Sequence, residues 1–73
     1  MSLLLFLDDH GVKPDTFVGF SFKLSDTHVQ CEYLNSGRVL STFYPRGGNP
    51  YHHDFLSQKA FVRYLSKELL GEI

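Results

Sequence analysis

From Thr16 to Leu24 the side chains alternate between two faces, and two further arms follow between turn-forming residues up to Tyr44. A period of two sends successive side chains to opposite faces of an extended chain, so the stretch reads as strands and not as helix. In the first arm, Thr16 to Leu24, Val18, Phe20, Phe22 and Leu24 share one face, while Phe17, Gly19, Ser21 and Lys23 take the other. Ser25, Asp26 and Thr27 supply a short turn, after which Val29, Cys31 and Tyr33 oppose His28, Gln30 and Glu32. Asn35, Ser36 and Gly37 tolerate positive φ and lead into a third arm, Arg38 to Tyr44, with Val39 and Phe43 on one side and Leu40, Thr42 and Tyr44 on the other. Arms joined by short turns predict an antiparallel meander.

The flanks complete the expected architecture. Met1 to Leu7 is an apolar run ended by Asp-Asp-His-Gly, and its shortness favours a buried strand over residues 3–7, apolar on both sides because Leu3, Leu5 and Leu7 alternate with Leu4 and Phe6. Asp8 to Asp15, with Gly11 and Pro14, reads as a loop. Pro45 to Pro50 holds two prolines and two glycines and ends the sheet. Ser57 is an N-cap candidate, with Asp54 the alternative, and Gly71 is a C-terminal stop. Between them Phe61, Val62, Leu65 and Leu69 form one helical stripe, suited to cover the face of Val18, Phe20 and Phe22. The expected fold is therefore α+β, a small antiparallel sheet of three to four strands packed on one C-terminal helix in the order β-β-β-β-α.

A chain of 73 residues holds a single domain, 1–73, near the lower end of what folds without disulfides or metal. Its core has to draw on large rings, of which seven Phe and four Tyr are available. Cys31 is the single cysteine, so no intrachain disulfide and no cysteine pair at metal-ligand spacing exists. A reducing compartment, the cytoplasm, and a fold without metal or cofactor are the expectation. Leu3 to Leu7 is too short for a signal peptide or membrane span, has no basic segment before it, and runs at once into Asp8 and Asp9. Net charge is -1, which offers no global attraction to nucleic acid or an acidic membrane. The balance is uneven: residues 1–37 carry five acidic and two basic side chains (-3), and residues 38–73 carry five basic and three acidic ones (+2).

Three groups of residues are candidates for function. Lys59, Arg63 and Lys67 recur every four positions on the helix, without an acidic residue four positions before any of them. They can grip phosphates or an acidic protein, or be the solvated face of an amphipathic helix. Tyr44, Arg46, Tyr51, His52, His53 and Phe55 gather rings and cations in what reads as one irregular segment, the mix enriched at protein interfaces and able to stack on bases. The competing reading packs Tyr44, Tyr51 and Phe55 beneath the helix. His52, His53 and Asp54 hold the ingredients of metal binding or proton transfer, but adjacent histidines on an extended chain point apart, so a metal would also need His10 or His28. Cys31 reads as a buried, inert thiol.

No nucleophile elbow, paired histidines at i and i+4, or phosphate-binding glycine-lysine loop occurs. The chain is expected to be a non-enzymatic protein-binding module, a regulator, inhibitor or adaptor, contacting its partner through Tyr44 to Phe55 and the helix cations. Nucleic-acid binding through those cations is the alternative, and a small metal-dependent or acid-base enzyme the second. The doubly apolar first strand and the sheet face beyond the helix further suggest a homodimer through Leu4, Phe6, Phe17 and Leu40.

Overall fold

A computed structural model describes residues 2–14 and 20–72. Helix α1 (Leu3–Asp9) precedes strands β1 (Phe20–Leu24), β2 (Thr27–Tyr33), β3 (Val39–Pro45) and β4 (Tyr51–Phe55). Helix α2 (Gln58–Tyr64) follows and widens into one π-helical turn, Leu65–Leu69. The strands form one antiparallel sheet in the order β1-β2-β3-β4, and the C-terminal helix packs on one of its faces. The α+β class and the meander follow the alternation in the sequence. The first arm, expected from Thr16, is described from Phe20 onward, and Phe17 and Val18 lie outside the described residues.

Register explains how one face becomes core. Directly opposed residues share a face of the sheet, and the pairs Phe22↔Val29, Val29↔Phe43 and Phe43↔Tyr51 run as one row across all four strands. Val39 and Phe55 pair on the same face beyond the row Phe20–Cys31–Ser41–His53. The helix stripe closes over these rows: Phe61, Val62 and Leu65 are buried, and the Phe61 ring lies 5.1 Å from Phe55 and 6.4 Å from Phe22. Phe43 is fully buried, with Tyr51 stacked on it at 5.0 Å and Tyr64 at 5.3 Å.

The expected strand at residues 3–7 is instead helix α1. Ser2 caps it, its Oγ accepting the Leu5 N–H at 3.2 Å. Leu3, Phe6 and Leu7, spaced i, i+3 and i+4, are buried, while Leu4 and Leu5 are left about 60% exposed at 60% and 62%. An all-apolar pentamer satisfies either period, and the N-cap with one available core-facing trio decided for helix. The Leu3 N–H donates to Gln58 Oε1 and ties α1 to the start of α2. Phe6 is thus a core residue and is not available to a dimer surface. Leu4 lies on α1 and Leu40 on the sheet face that no helix covers, so the two do not form one patch.

The fourth strand is β4, not the N-terminal run. Pro45 to Pro50 does break the sheet, but the chain turns there and returns, pairing Val39↔Phe55 through Phe43↔Tyr51. The segment expected to be irregular from Tyr44 to Phe55 is therefore a hairpin. Ser57 does cap α2, its Oγ accepting the Ala60 N–H at 3.2 Å. Gly71 follows the last turn at φ +68, a conformation that glycine adopts without strain. In the β1–β2 turn Ser25 takes φ 56, which costs a residue bearing a Cβ about 1 kcal/mol or more.

A fully buried ring meeting three others sets the first prediction. Phe43→Ala should cost about 3–5 kcal/mol, comparable with the ~4–11 kcal/mol expected of a domain this size. Urea titration should show the variant's midpoint falling well below the parent's, by an amount matching that loss. Leu56→Ala, at a side chain 78% exposed, should stay within about 0.5 kcal/mol of the parent.

Candidate functional site

The helices occupy one side of the sheet, and the other side is solvent-facing. Its rows are Ser21–Gln30–Thr42–His52, Lys23–His28–Tyr44 and Glu32–Leu40–Asp54. A shallow, open depression of about 920 Å³ is lined by Gln30, Glu32, Leu40, Thr42, His52 and Asp54 of this face together with residues of the opposite parity, Phe20, Cys31, Tyr33, Ser41 and His53. Leu40 and Tyr44 are 39% and 42% exposed, large apolar groups on an otherwise polar surface. The polar groups are held in place locally. Thr42 Oγ1 and His52 Nδ1 share a hydrogen bond at 2.9 Å, an Arg38 guanidinium N–H donates to Asp54 Oδ2, and the His28 and Tyr44 rings sit 6.2 Å apart.

Because β4 is a strand, it separates the residues that the sequence groups together. Tyr51, His53 and Phe55 face the helix layer. Tyr51 stacks on Phe43 and its hydroxyl meets that of Tyr64 at 3.2 Å; His53 stacks on Phe55 at 4.2 Å and lies 4.9 Å from Tyr64. Burial, and then the Tyr51 contact, push the Tyr64 hydroxyl up to about 12. Phe55 is only 6% exposed, so it belongs to the core and not to a partner surface. Packing beneath the helix thus holds for Phe55, holds only in part for Tyr51, which faces the helix layer but stays exposed, and fails for Tyr44, which is on the open face with His52. Arg46 sits in the β3–β4 turn, its backbone N–H donating to the Asp26 carbonyl at 3.1 Å.

His52 and His53 point to opposite faces, His28 is beside Tyr44, and His10 is on the segment after α1. Among the described residues no group of three or more His, Cys, Asp or Glu side chains is placed to hold a metal ion. Cys31 is buried on the helix side of β2, and burial pushes its thiol up to about 11, the inert setting expected of it.

The helix cations fall on the far layer from the open face. Lys59 and Arg63 line a cleft of about 340 Å³ between α1 and α2 together with Asp9, His10 and Glu72. The stripe that lacks acidic partners within the helix therefore has carboxylates beside it from elsewhere, while Lys67 stands exposed in the π-helical turn. Gln30, Glu32 and Thr42 were not among the sequence candidates. Their alternation already assigned them to the face opposite Val29 and Phe43, but nothing in the sequence says that this face stays uncovered.

No protein-family model, no characterised protein and no solved structure matches this chain. No helix among the described residues is long and apolar enough to cross a membrane.

One contact in the cleft is set by pH. His10 Nδ1 faces the Phe6 carbonyl at 2.8 Å and Nε2 faces Glu72 Oε2 at 3.0 Å, and since both oxygens only accept, the doubly protonated imidazolium fits best. Its bond to Glu72, then that to Phe6, hold His10 above the ordinary value of 6.5. His10, and then Ser66, hold Glu72 below its ordinary 4.5. The histidine contribution is full below 6.5 and lost as pH rises through the raised value; the carboxylate contribution is full above 4.5 and lost on acidification through the lowered one. Glu72→Gln should therefore lower the melting temperature more at about pH 5.5 than at about pH 8.5.

Proposed function

We propose that this domain is a non-enzymatic protein-binding module, acting as a small regulator, inhibitor or adaptor, and that its partner docks on the open face of the sheet around Leu40 and Tyr44. The observation that carries the reading is the division of the sheet. Two helices cover one face, and the other presents a broad, shallow surface with exposed apolar groups set among fixed hydrogen-bonding ones. That is the mixture of a protein interface, where apolar anchors bury and polar groups fix orientation.

The charge pattern supports a protein partner over nucleic acid. Lys23 and Arg38 on or beside the open face are matched by Glu32 and Asp54, so a phosphate backbone meets no net attraction there. Nucleic-acid binding through Lys59, Arg63 and Lys67 is the second reading, supported by the exposure of all three along α2 and its π-helical turn. It is weaker, because Asp9 and Glu72 share the cleft with two of them. The buried, unpaired Cys31 suits a reducing compartment such as the cytoplasm. Self-association belongs to the same reading, but not through the apolar surface that the sequence suggests, since Phe6 is core and Leu4 and Leu40 are apart.

Immobilised protein exposed to extract of its own source should retain a specific partner, and Leu40→Arg and Tyr44→Arg should each lower retention at least about tenfold, as loss of a buried anchor does. Both sites are exposed, so circular dichroism melts should shift little. Equal retention by parent and both variants would reject the open face as the docking surface.

A further inference from the structure

We propose that the outer edge of β4 pairs antiparallel with β4 of a second copy of this chain, about a two-fold axis at His53, to make one continuous eight-stranded sheet. The inference deepens the self-association named above and does not use the open-face docking site, so the two are read in separate assays.

The edge itself is the first observation. Among the described residues β4 pairs only with β3, and Tyr51, His52, His53 and Asp54 are all exposed along it. An edge without a strand partner is a template for another strand, and lysine and proline are absent from Tyr-His-His-Asp-Phe; of its carbonyls, that of His53 accepts from Ser41 Oγ and that of Asp54 meets His53 Nδ1 at 3.3 Å.

The second observation is that this strand is complementary to itself. An axis at His53 sets His52 opposite Asp54 of the second copy, a pair that occurs twice, while Phe55 stays in its own core. The same register brings Leu56, 78% exposed, opposite the second copy's Pro50, an apolar contact for the most exposed large apolar side chain among the described residues. On the open face, Thr42 already occupies His52 Nδ1, which leaves Nε2 to donate across the interface. Arg38 holds Asp54 through Oδ2, which leaves Oδ1 to accept.

Neighbouring registers fail on the same criteria. An axis at Asp54 would oppose two carboxylates. An axis at His52 would set Asp54 against Pro50 and His52 against itself, leaving each Asp54 without a donor across the seam. An axis at His53 also keeps both helix layers on one side, because opposed residues then share a face. The two open faces become one surface.

Two five-residue strands bury less than a standard interface, so the dimer should be concentration-dependent, forming in the micromolar range. The test is sedimentation equilibrium at up to about 0.5 mM, well above that range. The parent should approach twice the 8.4 kDa chain mass. H52D opposes two acids at both pairs, and D54K opposes a cation to His52; each alone should remain monomeric at the concentration where the parent dimerises. An equimolar mixture restores Asp against Lys at one pair and His against Asp at the other, and should dimerise again, which a misfolded variant would not do. A parent that stays monomeric throughout, single variants that dimerise like the parent, or a mixture that stays monomeric would each overturn the proposal.

Discussion

Burial of the Phe43 ring between the sheet and the C-terminal helix is the contact on which the other features depend. A chain this short has few residues to exclude from water, and it concentrates them on one side of one sheet. Phe22, Val29, Phe43 and Phe55 give the floor, and Phe61, Val62 and Leu65 the cover. Helix α1 adds Leu3, Phe6 and Leu7 to the same cluster, so both helices serve one face. The consequence is geometric: among the described residues both helices are used on one side, and the other side of the sheet meets solvent.

How far the sequence discloses this depends on how its periods compete. From Phe20 to Tyr44 the period of two is unambiguous, and so are the strands, the turns and the division of residues between faces. The α2 stripe and its Ser57 cap are equally readable, because a cap and a spacing of three to four agree. Leu3 to Leu7 is apolar at every position and carries no period, so its state was decided by tertiary packing and by Ser2, which a strand reading has no reason to notice. Tyr51 to Phe55 is five residues with rings at both ends and three polar groups between, and its pairing with β3 depends on a hairpin that Pro45 and Pro50 appeared to forbid. Both prolines sit at strand ends, where their missing donors leave no ladder bond unmade.

The candidate site was legible in part for the same reason. Tyr44 and His52 belong to the exposed face, whereas Tyr51 and Phe55 face the helix layer, and strand alternation is what parts them. Histidines adjacent in a strand point apart, which removes the shared metal site that their adjacency in sequence suggests. What emerges is a surface of fixed polar groups around Leu40 and Tyr44.

The central claim is that one face of the sheet is closed by both helices and the other is open to a partner. Thiol labelling of the native protein tests it most directly, using Cys31 as the probe of the closed face and thiols introduced by Leu40→Cys and Tyr44→Cys as probes of the open one. The account predicts that Cys31 reacts at least about a hundredfold more slowly than in urea, while the thiols introduced at 40 and 44 react within about tenfold of their rate in the unfolded chain. A Cys31 that labels as quickly as those two, or protection at both 40 and 44 in the isolated protein, would contradict it.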